Sequence, residues 1–157
     1  MDLRPLLLFA HLSLIFTGVT IAWGPFLLVR IAYGSGQVAL VRATATLAVR
    51  VGRLIPVFYM AGGLFGLLTA IAFGYNLLAP WLVIAYVLFV IATVTGIRWS
   101  GPAMERIAEQ AKGAPDGPIP ASLAAYFTTT AAVALTLFDV GLLFVFVFDM
   151  VVKPFSS

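Results

Sequence analysis

Apolar positions along this chain do not alternate with polar ones, and they do not recur singly at helical spacing. They run together in long blocks. No charged side chain occurs in residues 54–97, a stretch long enough for two membrane crossings of ~20 residues each. The pattern predicts four helical spans, over about residues 5–29, 54–75, 81–97 and 123–152, and an Asn-to-Pro turn, NLLAP, at 76–80. The reading is an all-α membrane protein: four transmembrane helices in an up-and-down bundle, forming one domain over residues 1–157. The block at 5–29 is too long for the apolar region of a signal peptide and lacks a small-residue cleavage site, so it reads as a helix of the mature protein.

Between the blocks the chain is polar and basic. The first loop holds Arg30, Arg42, Arg50 and Arg53, and the third holds Arg98, Arg106 and Lys112, whereas the short second loop has no basic residue. Arg4 and Lys153 mark the two ends. By the positive-inside rule, loops one and three face the cytoplasm and both termini face outward, to the periplasm of a bacterium. Trp81 and Tyr75 then belong to the outer interface, and Trp99 and Tyr126 to the inner one. Gly34-Ser35-Gly36 is expected to end the first helix. Residues 37–53 are expected to form a basic helix, either lying on the inner leaflet or extending span two. Pro102 suits the first turn of a short helix that ends near Gly113.

Composition agrees with this frame: 62% hydrophobic residues, 10% charged and a mean hydropathy of +1.11. The net charge of +3 sits in loops between apolar spans, so nucleic acid is not an expected partner. The chain has no cysteine, which excludes disulfides, thiolate metal sites, cysteine nucleophiles and attached c-type haem. Phosphate loops, GxSxG and HExxH are absent. The expected partners are the lipid bilayer and other membrane-protein subunits or a second copy.

Two packing signals stand out. Gly62, Gly66, Ala70 and Gly74 recur every four residues and line one face of span two, a groove that lets another helix approach closely. Pro25, within TIAWGP, is expected to kink or break span one, since it lacks a donor and crowds the carbonyl of Ile21.

The intramembrane ionisable residues are the candidates for chemistry. Asp139 falls inside the core for almost any placement of span four, with no Lys or Arg expected at its depth. Its carboxyl needs a hydrogen-bond partner, and Thr17, Thr20 and Thr136 are the candidates. Its role is either polar glue between helices or a proton or ion relay. Asp149 is expected at the outer interface, solvated or paired with Arg4 or Lys153. The two aspartates lie ~15 Å apart along one helix and roughly 80° apart around it, which rules out an acid–base dyad. His11, the single histidine, is a candidate interhelical donor oriented by Asp149, with haem b or metal ligation as an alternative. No cofactor or metal is otherwise predicted.

The segments LLLFAHLSLIFTGVTIAWG, RVGRLIPVFYMAGGLFGLLTAIAFG and DMVVKPF resemble a bacterial family of predicted four-helix integral membrane proteins of unknown function (a DUF family). That family is distantly similar to the copper-resistance and HemJ-type membrane proteins, which also carry a histidine in an early span. HemJ-type enzymes use haem and act on porphyrinogens, and with them they offer more histidines than this chain has. The resemblance implies fold and location without a reaction. The functional expectation is a non-enzymatic accessory or assembly subunit of an inner-membrane complex. A proton- or ion-coupled carrier using Asp139, or a redox protein using His11, are the alternatives.

Overall fold

The computed structural model describes residues 2–154; Phe155, which closes the last of the segments quoted above, lies outside them. The elements are α1 (Arg4–Gly34), α2 (Val38–Gly52), α3 (Ile55–Ala72) and α4 (Pro80–Thr95), a π-helical turn at Gly96–Ser100, then α5 (Gly101–Gly113), α6 (Ala121–Thr128) and α7 (Thr130–Val152). Together they make four helices long and apolar enough to cross a membrane: Arg4–Gly34, Val38–Ala72, Pro80–Gly113 and Ala121–Val152. Among the described residues the one strand-like contact is an antiparallel bridge between Gln37 and Pro118.

Three of the helices are much longer than the apolar blocks suggested. At 31 to 35 residues each spans about 46 to 52 Å, against ~30 Å of hydrocarbon. The surplus lies at the basic end. There α2 extends α3, and α5 extends α4, because charged residues such as Arg50 and Glu105 are good helix formers where water can reach them. The basic segment after span one is therefore an extension of span two rather than a helix lying on the leaflet.

This extension carries the best-buried core. Val29 and Ala32 of α1, Val41, Ala45 and Ala48 of α2, Ile107, Ala108 and Ala111 of α5, and Leu123 and Phe127 of α6 form one cluster. The Tyr33 ring stacks on Phe127 with centroids 4.2 Å apart. Arg42 ties α2 to the end of α5. Its guanidinium donates to the carbonyls of Ala111 at 2.8 Å and Ala114 at 2.6 Å, and to the Asp116 carboxylate at 2.8 Å. These are carbonyls that a helix end leaves without intrahelical donors. The two basic loops are stitched together by Val38 N–H to Gly117 O at 3.0 Å and Ile119 N–H to Gly36 O at 3.2 Å. Both therefore lie at one end of the bundle.

Within the membrane-spanning part, α1 packs on α3 and α4 packs on α7. The α1–α3 seam uses the glycine groove. A Cβ on Gly62 would meet Ile15, one on Gly66 would meet His11, and one on Gly18 would meet the Tyr59 ring. The three pairs share a single antiparallel register. Extending it places Arg53 level with Gly24, and Phe73 level with Arg4.

Three expectations need correction. Gly74 is not a packing position. With φ at 74° it ends span two in a Schellman turn, Tyr75 N–H donating to Ala70 O and Gly74 N–H to Ile71 O, both at 3.0 Å. The left-handed residue is what turns the chain toward α4. Ala70 is a packing position as expected, buried against Trp81 and Leu82 of α4. Span one is not broken at Pro25, since α1 runs continuously through it. Span four, expected to be unbroken, is interrupted at Thr129, which is extended (φ −66°, ψ 147°). Its side chain accepts from Ala132 N–H at 3.4 Å, so α7 begins with its own cap.

Candidate functional site

The polar residues of the spans do not converge on one point. They occupy three levels, and each is built differently.

At the basic-side level the end of span three meets Asp139 of span four. Gly101 and Pro102 create the geometry. Pro102 has no N–H for the carbonyl four residues back, and the helix widens into the π-turn at Gly96–Ser100. A Cβ on Gly101 would stand 2.9 Å from the Gly96 carbonyl oxygen, so the widened turn requires glycine there. The turn presents Ser100, whose hydroxyl donates to Asp139 Oδ2 at 2.7 Å.

A cation stands closer to Asp139 than its place in an apolar run suggested. One turn before it, Thr136 Oγ1 accepts from the Arg30 guanidinium at 3.1 Å, and the same guanidinium donates to Phe127 O at 3.2 Å. Arg30 also lies over the Phe26 and Phe127 rings, at 5.5 and 5.8 Å. Arg30 is thus within α1 and not in a loop, and a cation does reach this part of span four. Its contact with Phe127 satisfies a carbonyl near the interruption at Thr129.

The expected partners of Asp139 in span one do not serve it. Thr17 and Thr20 are exposed on the outer face of α1, and their hydroxyls donate to the carbonyls of Ser13 at 2.7 Å and Phe16 at 2.8 Å. Threonine in a helix commonly returns its proton to the preceding turn in this way.

His11 occupies the middle level. Its Nδ1–H donates to the Gly62 carbonyl at 2.8 Å, and the ring lies against the face that Gly66 leaves open. That bond fixes the tautomer and leaves Nε2 as the free nitrogen. Haem or metal ligation would have to use Nε2. Among the described residues no group of three His, Asp or Glu side chains is placed to share a metal ion. Asp149 does not orient the ring, because the histidine's bond goes to backbone.

Asp149 marks the outer level, and there too the expectation is overturned. The residue is 2% exposed, and neither carboxylate oxygen has a hydrogen-bond partner. Lys153 turns elsewhere: its ammonium donates to the Tyr75 hydroxyl at 3.0 Å and lies 4.6 and 5.1 Å from the Tyr75 and Trp81 ring centroids. Two aromatic faces and a hydroxyl supply the lysine with a ready seat. Arg4 does not reach Asp149 by any hydrogen bond; its backbone N–H donates to Asp2.

Sequence reasoning missed Ser100 and Arg30. The usable signal was Gly101-Pro102 directly after an apolar run, a pair that disturbs helical register. No family model, curated protein or solved structure matches the chain.

Proposed function

We propose that the protein is a non-enzymatic interaction or assembly subunit of a complex in the bacterial inner membrane, with its basic end in the cytoplasm. The observation that carries this reading is surplus apolar surface. In the α1–α3 register, residues 4–23 of α1 cover ~30 Å, the thickness of the hydrocarbon. Leu27 and Ile31 lie beyond that band, on the basic side of Arg53. Both remain exposed, Ile31 at 70%. Large apolar side chains that are covered neither by the bundle nor by the bilayer mark a contact surface for another protein. The glycine groove is not that surface, because α1 already fills it.

The test is gentle extraction of the full chain and of a Leu27→Gln/Ile31→Gln variant. A stoichiometric partner, or a second copy, is expected with the native chain and lost from the variant. A Leu12→Gln substitution, within the lipid-facing band, should leave the partner bound. A strictly monomeric native protein that carries no partner sinks the proposal.

A second reading draws on the Ser100–Asp139 pair at the π-turn, since π-turns and intramembrane carboxylates both recur at functional sites. It makes the chain a proton- or ion-coupled carrier of a small solute. Asp139→Asn retains the shape and an oxygen acceptor for Ser100 but cannot titrate. Unchanged solute uptake by this variant in proteoliposomes would remove the carrier reading.

A further inference from the structure

The long helices Val38–Ala72 and Pro80–Gly113 keep one antiparallel register. Ala70 is buried with Leu82, a Cβ on Gly63 would meet the Phe89 ring, and Ala45 shares the basic-end core with Ile107. Between the last two pairs, the same register sets Arg53 level with Trp99, and Leu54 level with Arg98. Arg53 is also level with Gly24, at the basic edge of the ~30 Å hydrocarbon band. Both arginines thus stand at the depth of lipid phosphates.

Helical phase gives their direction. Gly63 faces α4, and Arg53, ten residues earlier, lies ~80° around α3 from it. Gly62 and Gly66, which face α1, lie ~100° and ~60° the opposite way. On α4, Phe89 faces α3. Arg98, nine residues on, would lie ~180° around an α-helix, and the wider winding of the π-turn at Gly96–Ser100 reduces that angle. Trp81, packed with Met150 of α7, lies ~80° the opposite way. In antiparallel neighbours, rotations of one sense lead to one side of the pair. Arg53 and Arg98 therefore share the side turned away from α1 and α7.

Both arginines are exposed, and neither is in an ion pair; the one such pair among the described residues joins Arg42 to Asp116. Asp139 is occupied by Ser100. Glu105, the next acid along the chain after Arg98, stands ~10 Å further from the hydrocarbon. Beneath the arginines, Val57, Met60 and Leu64 of α3 and Val90 and Val94 of α4 are exposed on the same side.

We propose that this side of the α3–α4 pair binds an anionic phospholipid, its phosphate between Arg53 and Arg98 and its acyl chains along the apolar face below. A guanidinium offers paired donors that match phosphate oxygens. Two unpaired cations at headgroup depth favour an anionic lipid over a zwitterionic one, and the exposed Trp99 ring suits the same level. The site lies on helices other than the one that carries Leu27 and Ile31, so it is independent of the proposed partner surface.

Native mass spectrometry of the full chain tests it, in mild detergent with equimolar phosphatidylglycerol and phosphatidylcholine. The native chain should retain phosphatidylglycerol in preference. Arg53→Gln/Arg98→Gln should lower that preference at least ~fivefold, whereas Arg53→Lys/Arg98→Lys, which keeps both charges, should preserve it. Arg106→Gln, ~12 Å beyond Arg98 along the helix, should leave it unchanged. No preference in the native chain, an unaltered preference in the double Gln variant, or an equal loss in Arg106→Gln would each overturn the proposal. Displacement of the lipid by millimolar inorganic phosphate would also overturn it, by making the arginines a site for a soluble phosphate.

Discussion

At Gly66 a single hydrogen atom decides how two spans meet. A Cβ there would stand 2.8 Å from His11 Cε1 and 2.9 Å from Nδ1. The ring cannot retreat without giving up its bond to the Gly62 carbonyl. Gly66→Ala should therefore destabilise the protein by about 1–3 kcal/mol, the usual range for overpacking a tight seam. Gly62→Ala meets mainly the far end of the flexible Ile15 side chain and should cost less. Gly141→Ala, with nothing within 4 Å, should be neutral or stabilise by up to ~1 kcal/mol through helix propensity. Unfolding in mixed micelles measures all three, and equal effects at Gly66 and Gly141 would refute the seam. The small-residue stripe and the early histidine were both legible in the sequence, because a four-residue repeat survives without knowledge of neighbours. That they belong to each other was not legible. Their pairing follows from the antiparallel register of α1 and α3, which no local pattern encodes.

Helix boundaries show a different kind of limit. Hydropathy marks where lipid must be, but a helix does not stop where lipid stops. Residues 98–113 read as a polar loop with one short helix, yet they continue span three through the π-turn. The same misreading hid Ser100, since a serine in a loop is not an obvious partner for an aspartate in a span. The π-turn itself yields a sharp prediction. Gly101→Ala places a methyl against the Gly96 carbonyl oxygen, a backbone atom that cannot swing away. The turn must then rewind toward α-helical register and carry Ser100 off Asp139. In the native background, a double-mutant cycle between Ser100→Ala and Asp139→Ala should show a coupling of about 1 kcal/mol. In the Gly101→Ala background it should fall near zero. A coupling that persists would mean that the pair does not depend on the widened turn.

The largest scale is the direction of the whole bundle in the membrane. The bridge between Gln37 and Pro118 puts the two basic loops at one end, so the chain must place both on the same side. Seven of its nine Lys and Arg residues belong to that end, leaving Arg4 and Lys153 at the other. Basic residues resist translocation, so the crowded end should remain in the cytoplasm and both termini should face outward. The absence of cysteine makes this directly measurable with single introduced thiols. Leu78 is exposed in the turn between α3 and α4, and Glu109 is exposed on α5; the two lie near opposite ends of the helix Pro80–Gly113. An impermeant maleimide added to intact spheroplasts should label Leu78→Cys at once and Glu109→Cys only after lysis. The reverse pattern would invert the bundle, exposing Arg42, Arg50 and Arg53 to the periplasm against the charge bias.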